Sequence, residues 1–346
     1  MNYERDLLRD VEPYMPGEQP TGDIIKLNTN ENPYPPSPKV MEAIASLSAK
    51  DVARYPNAVS RRLREVAAER YGFPSADWVF AGNGMDEVLA LALRTFVDPG
   101  DTVLSTYPTY SLYEVLTKLH GAEWLAVDLD DNFQLPDGFA EHNARFCFLP
   151  RPNAPSGVCA PRAAVEQVCE NFDGLVFIDE AYADFANDNC MDFPQRYPNA
   201  IVARTFSKSF GLAGMRLGLA FAQPDIIESF MKTKDSYNVN VATQAAGVAA
   251  LEDYAHMEAS VAHIRATRTR LIGALRELGF TVPESEANYV FAERDGAREI
   301  FERLKERGIF VRYFDARRVD GGLRISVGTD GEIDALLGAL GKLVRR

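Results

Sequence analysis

The stretch Ile201-Val202-Ala203-Arg204-Thr205-Phe206-Ser207-Lys208-Ser209-Phe210-Gly211-Leu212-Ala213-Gly214-Met215-Arg216 decides how the chain is read. Residues 201–206 form a short apolar run, which predicts a buried strand. Just past it a lysine stands between two serines, and an arginine follows after a glycine-punctuated loop. Ligands of open α/β sheets bind beyond the carboxyl ends of the strands. A single lysine is ordinarily a solvated surface residue. This one has unusual company. Hydroxyls and a guanidinium fork on such a loop can grip a phosphate, and an amine beside them can form a Schiff base with an aldehyde.

The same alternation of strand and helix extends upstream. Residues 39–48, 60–71, 85–96, 109–119 and 161–171 have helical patterns. Residues 78–81, 102–105, 123–127, 145–149 and 174–179 are short apolar runs bounded by turn residues. Such runs alternating with helices predict an α/β fold with a mostly parallel central sheet flanked by helices. We place this large domain at 39–250. Beyond about residue 224 the pattern becomes helix-rich, at 225–233 and 241–278, the second read as one long helix crossing between domains. Residues 280–346 mix strands at 287–292, 309–312 and 323–327 with helices at 296–307 and 330–344. They suggest a smaller α+β C-terminal domain over 251–346. Residues 1–38 hold seven prolines and the Asn-rich segment Leu27–Pro33. That composition argues against helix or central strand and predicts an N-terminal arm, either a surface tail or a segment that packs on a partner or closes a site.

Composition narrows the function. The 346 residues are 46% hydrophobic and 25% charged, as in globular proteins. Lys and Arg number 37 against 50 Asp and Glu, a net charge of −13, which argues against non-specific binding to nucleic acid or anionic membranes. No apolar run approaches the roughly 18 residues of a membrane span, and the N-terminus shows no secretory h-region. Cys147, Cys159, Cys169 and Cys190 lack zinc-site or disulfide-framework spacing, as do the four histidines. The expectation is a cytoplasmic protein with reduced thiols and no metal.

Three further segments carry chemistry. Asp179 closes the apolar run 174–179, with Tyr182 three residues on. A buried acid is costly unless paired; a protonated pyridine nitrogen would pair with it, as would a helix cap or a structural ion pair. Asn153 lies in a loop held by Pro152 and Pro155. Gly82-Asn83-Gly84 precedes a helix, and helix N-termini bind anions; simple capping by Asn83 is the alternative. Phosphate, aldehyde and pyridine nitrogen together describe pyridoxal 5'-phosphate. A GxGxxG dinucleotide fingerprint is missing.

The set Asn153, Asp179, Tyr182, Ser207, Lys208 and Arg216 resembles the fold-type I pyridoxal-phosphate enzymes of the aspartate aminotransferase superfamily. The likeness runs through nearly the whole chain. It includes Pro13-Tyr14-x-Pro16-Gly17, Leu27-Asn28-x-Asn30-Glu31-Asn32-Pro33, Arg54-Tyr55-Pro56, Gly82–Glu87, Pro108-Thr109-Tyr110, the lysine segment, Gly308–Phe314 and Leu323–Gly328. The arm, Arg312-Tyr313-Phe314 and Leu323-Arg324-Ile325-Ser326 resemble most the histidinol-phosphate aminotransferase branch.

The resemblance implies roles. Lys208 would be the Schiff-base lysine and acid–base group, and Asp179 the partner of the pyridinium. Tyr182 and Asn153 would bind the ring oxygen, and Tyr110 would stack on the ring. Thr205, Ser207, Arg216 and the backbone of Gly84, Met85 and Asp86 would hold the phosphate. Tyr55 would reach the phosphate of a neighbouring subunit, which implies a homodimer. Arg324 would bind the α-carboxylate of glutamate or 2-oxoglutarate, Arg312 the phosphate of histidinol phosphate, and Tyr14 and Asn30 would complete the substrate site. The implied products are imidazole acetol phosphate and glutamate, in histidine biosynthesis. An aromatic-amino-acid aminotransferase and a threonine-phosphate decarboxylase of the same branch are the alternatives within the superfamily. A regulatory protein that binds the cofactor without catalysis is the alternative outside it; its sites would not need a proton-transferring lysine. Two departures stand out: Met85, where small residues are common, and Asp320-Gly321-Gly322, which suggests a more flexible small-domain loop.

Overall fold

Seven strands make the central sheet. In spatial order they are Val79–Gly82, Gly218–Phe221, Ala200–Thr205, Leu175–Asp179, Phe146–Pro150, Thr102–Tyr107 and Glu123–Asp128. The computed structural model describes residues 3–9 and 11–344. Only Gly218–Phe221 runs against the rest, pairing antiparallel with both of its neighbours. The other six point one way, so Gly82, Tyr107, Pro150, Asp179 and Thr205 end at one edge of the sheet.

Strand alternation divides the core into two layers. Val176, Ile178, Ala200 and Val202 face one layer, with Val66 and Ala67 of the helix Arg61–Tyr71 and Val165 and Val168 of Arg162–Asn171. Phe177, Ile201 and Ala203 face the other, with Val88 and Leu89 of Met85–Phe96, Leu112 and Tyr113 of Leu112–His120, and Phe230 of Pro224–Thr233. Helices therefore cover both faces, which explains why these strands read as continuous apolar runs. Each buried Val, Ile or Phe contributes roughly 1.5–3 kcal/mol.

A second, antiparallel sheet orders Arg312–Tyr313, Gly322–Ser326 and Tyr289–Glu293. Its register sets Arg312 directly opposite Arg324. The arm is anchored where Ile25–Lys26 pairs in parallel with Ile309–Phe310.

Several sequence expectations need correction. The helix expected over 241–278 is two, Val241–Glu252 and Tyr254–Glu277, because Asp253 leaves helical geometry at φ −114°, ψ 43°. The strand Gly218–Phe221 went unread; four residues after a glycine-rich loop carry too little periodicity. The expected strand 309–312 is divided, with Ile309–Phe310 serving the arm and Arg312–Tyr313 the small sheet. The helix expected from 109 begins at Leu112, leaving Thr109 and Tyr110 in the loop after a central strand. The arm does supply a strand, though one only two residues long at the edge of a pair, where its prolines do not interfere. Gly322 is not a point of slack: a Cβ there would lie 2.4 Å from the Phe291 ring, so the glycine permits close strand packing.

Candidate active site

The carboxyl edge of the large sheet, the arm and the small sheet enclose a cleft of about 290 Å³. Its floor comes from the large sheet. The strand Ala200–Thr205 delivers Thr205, Ser207 and Lys208. The Lys208 amine donates to the Thr29 carbonyl of the arm at 3.1 Å. Burial and then the charge of Arg324 hold this amine down to about 8, against the opposing pull of Glu31.

The strand Leu175–Asp179 delivers Asp179, 5% exposed. Burial pushes its carboxyl up, opposed by two donors: the Tyr113 hydroxyl at 2.6 Å and the Ala181 N–H at 3.0 Å. Tyr113 is fully buried and stacks on Phe148 with centroids 4.6 Å apart. Tyr110, three residues earlier in the preceding loop, meets Tyr113 edge-on at 5.4 Å and Tyr14 edge-on at 5.5 Å.

Gly84 caps the helix Met85–Phe96 with φ +87°. Asn83 is not the cap; its N–H donates to Glu87 Oε2 at 2.5 Å. The Arg216 guanidinium lies against Gly84 and donates to Asp86 Oδ2 at 3.0 Å. A positive group thus sits at a helix N-terminus, where N–H groups already favour an anion.

The opposite wall holds two arginines. Arg312 donates to the carbonyls of Met15 and Pro16 at 2.8 and 3.2 Å, and Arg324 to that of Asn28 at 2.9 Å. Phe314 lies 5.4 Å from each guanidinium carbon. Like charges set opposite one another in a sheet are destabilising. Here burial, and next the charge of Arg324, lower the pKa of Arg312. Such a pair is built for an anion.

The sequence-derived residues Tyr14, Asn30, Met85, Asp86, Tyr110, Asp179, Tyr182, Thr205, Ser207, Lys208, Arg216, Arg312 and Arg324 all line this cleft. Asn153 lies between Pro152 and Ala154 of its wall; its amide nitrogen donates to the Pro108 carbonyl and Ser156 Oγ, at 3.2 and 3.0 Å. Tyr55 stands apart from the cleft. It is 80% exposed and stacks on Tyr237 at 4.3 Å.

Four buried polar atoms at this site have no partner: Ser207 Oγ, Thr109 Oγ1, Asn153 Oδ1 and Arg324 Nε. Buried polar groups are almost always bonded, so orphans gathered at one cleft point to a ligand. Orphaned hydroxyls, a glycine-backed guanidinium, an amine held near neutrality and a buried carboxylate fit pyridoxal phosphate group by group.

Residues 22–340 match the family described as aminotransferase class I and II. The chain belongs to the class I and II aminotransferases. It is 46% identical to the histidinol-phosphate aminotransferase of Microcystis aeruginosa, over 98% of both chains. It is likewise 46% identical to that of Synechocystis sp., over 98% of this chain and 97% of the relative. Among solved structures it resembles the histidinol-phosphate aminotransferase of Sinorhizobium meliloti in complex with pyridoxal-5'-phosphate. That match has a TM-score of 0.90 and 25% identity over 100% of this chain and 98% of the other. No helix among the described residues is long and apolar enough to cross a membrane.

Two parts of this aminotransferase site escaped sequence reasoning. Tyr113 holds Asp179, and its signal was its place three residues after Tyr110, inside the helix expected over 109–119. Thr29 acts through its carbonyl, which no side-chain motif can reveal.

Proposed function

We propose that this aminotransferase uses pyridoxal 5'-phosphate to move the amino group of histidinol phosphate to 2-oxoglutarate, giving imidazole acetol phosphate and glutamate in histidine biosynthesis. The observation that carries the substrate assignment is the Arg312–Arg324 pair, set side by side on adjacent strands of the small sheet in the cleft that holds Lys208. The relatives at 46% identity support it.

When bound, the cofactor supplies an aldehyde that takes up the amino group and a ring that accepts the electron pair left at the substrate Cα. The chain's residues do the rest. Arg216, Ser207, Thr205 and the N-terminal amides at Gly84, Met85 and Asp86 hold the phosphate. Asp179, steadied by Tyr113, would hold a positive ring nitrogen. Tyr182 would donate to the ring oxygen, Asn153 would lie beside it, and Tyr110 would cover the ring. Lys208 Nζ, neutral in part near pH 8, would take the proton from the substrate Cα and deliver it to the carbon that had been the cofactor's aldehyde. Arg324 receives the carboxylate of glutamate, and Arg312 adds to it the charge needed by a phosphate ester. One wall therefore serves two unlike anions in turn. Tyr55, exposed beside Tyr237, is proposed to reach the phosphate site of a second copy, making a homodimer part of the mechanism.

The test is a half-reaction without acceptor. Holoenzyme is mixed separately with histidinol phosphate, phenylalanine and O-phosphothreonine, and the cofactor spectrum is followed. Rapid conversion to the pyridoxamine form by histidinol phosphate is expected. Conversion mainly by phenylalanine would overturn the substrate. Carbon dioxide released from O-phosphothreonine without conversion would overturn the reaction class.

A further inference from the structure

Asn30 uses every polar group it has. Its N–H donates to Ser326 Oγ at 2.9 Å, and the Ser326 hydroxyl donates back to Asn30 Oδ1 at 3.0 Å. Its carbonyl accepts from Asn288 Nδ2 at 2.9 Å. Its remaining group, Nδ2, donates to the Tyr182 hydroxyl at 3.0 Å. The residue is 1% exposed and left-handed at φ +57°, a conformation that asparagine tolerates far better than most side chains. Asn30 lines the cleft, yet its amide is committed to Tyr182 and Ser326.

This arrangement has a direction. A phenol has one proton to give and oxygen lone pairs with which to accept. Because Ser326 donates to Oδ1, the amide is held with Nδ2 toward Tyr182. The Tyr182 oxygen then accepts from Asn30, and its own proton must point elsewhere. Among the described residues no acceptor for that proton is found. Burial raises the Tyr182 pKa, so the proton is retained. Tyr182 is thereby fixed as a donor with its proton free for the site.

We propose that Asn30 is a positioning residue which, oriented by Ser326, holds the Tyr182 hydroxyl as a hydrogen-bond donor toward the cofactor's ring oxygen. This deepens the proposed function and rests on the Tyr182 role stated there. The arm and the small sheet thus act on the ring oxygen through one amide, without touching the cofactor. A donor on the ring oxygen draws off its negative charge. The proton held beside it on the Lys208 nitrogen is then easier to lose. Without a fixed donor that proton is kept to higher pH.

The test is a pH titration of the bound cofactor's visible band, with cofactor affinity of the apoenzyme measured alongside. Four holoenzymes are compared: wild type, Tyr182→Phe, Asn30→Gly and the double variant. Glycine is chosen because it suits φ +57° without strain. Tyr182→Phe is expected to raise the midpoint by about one pH unit, the worth of one ordinary hydrogen bond. Asn30→Gly is expected to raise it by a comparable or smaller amount, and to add nothing in the Tyr182→Phe background. Ser326→Ala, which leaves Asn30 in place but releases its amide, should give a smaller rise that also needs the Tyr182 hydroxyl. It carries the test should Asn30→Gly not fold. An equal shift with and without the Tyr182 hydroxyl, or no shift while Tyr182→Phe shifts, overturns the role of Asn30. No shift in Tyr182→Phe itself overturns the Tyr182 role beneath it.

Discussion

Replacing Gly84 with alanine should cripple cofactor binding although no side chain assigned to the cofactor is itself replaced. Gly84 has φ +87° and ψ 167°, a region almost closed to residues with a Cβ, so alanine costs about 1–3 kcal/mol in backbone strain. The new Cβ would also stand 2.7 Å from Arg216 Nη2, 3.0 Å from Cζ and 3.2 Å from Nε. Contacts this short force movement. The backbone is tied into a helix start, whereas the Arg216 side chain is 45% exposed and free to swing. The guanidinium therefore leaves the helix N-terminus and the phosphate position. A hydrogen bond to a charged group is worth about 1.5–3 kcal/mol, so affinity for pyridoxal phosphate should fall about ten- to 150-fold. Titrating the apoenzyme with cofactor while following fluorescence quenching measures this, and urea unfolding of the apoenzyme reads the strain separately. Arg216→Ala should lose similar affinity without the strain, and the double variant should bind no more weakly than either single one. Native affinity in Gly84→Ala would refute the phosphate cradle.

Other perturbations test other parts of the site. The rate at which apoenzyme captures pyridoxal phosphate should rise with pH through about 8 as Lys208 loses its proton. Because this folded-state value lies below that of an unfolded lysine, near 10.4, Lys208 makes apoenzyme stability increase between about pH 8 and 10. Arg324→Gln removes a positive neighbour and should move the capture midpoint upward; an unmoved midpoint would strike Arg324 from the causes. Tyr113→Phe keeps the ring against Phe148 but leaves the buried Asp179 carboxylate with only the Ala181 N–H. It should cost the apoenzyme about 1.5–3 kcal/mol at neutral pH in urea unfolding. Arg312→Ala should raise KM for histidinol phosphate by roughly tenfold or more while affecting 2-oxoglutarate less, whereas Arg324→Ala should weaken both. Steady-state kinetics with each substrate varied in turn decides between these outcomes.

Much of the seven-stranded sheet and its helices was legible along the chain, for local reasons. Strands buried on both faces read as short apolar runs whatever lies around them, and the residue closing each run is then known to lie near a ligand. Asp179 and Lys208 could be singled out on that basis. Amphipathic helices such as Met85–Phe96 carry their own period. Where local signal was weak, reading failed. Gly218–Phe221 is too short to show alternation, and the break at Asp253 is one residue in an otherwise helical run.

The amino-acid sequence by itself determined the chemistry available: an amine, an acid, hydroxyls and an arginine, each at or beyond the end of a buried strand. Apolar periodicity and turn residues act over a few neighbours, so they survive without the fold. Only the tertiary structure decided which groups meet. It set Arg312 opposite Arg324 through strand register, brought the Thr29 carbonyl to Lys208, placed Tyr113 under Asp179, and turned Asn30 from the open cleft onto Tyr182. Those contacts join residues as many as 179 positions apart. Their energies depend on burial and on direction, and neither exists before the chain is folded.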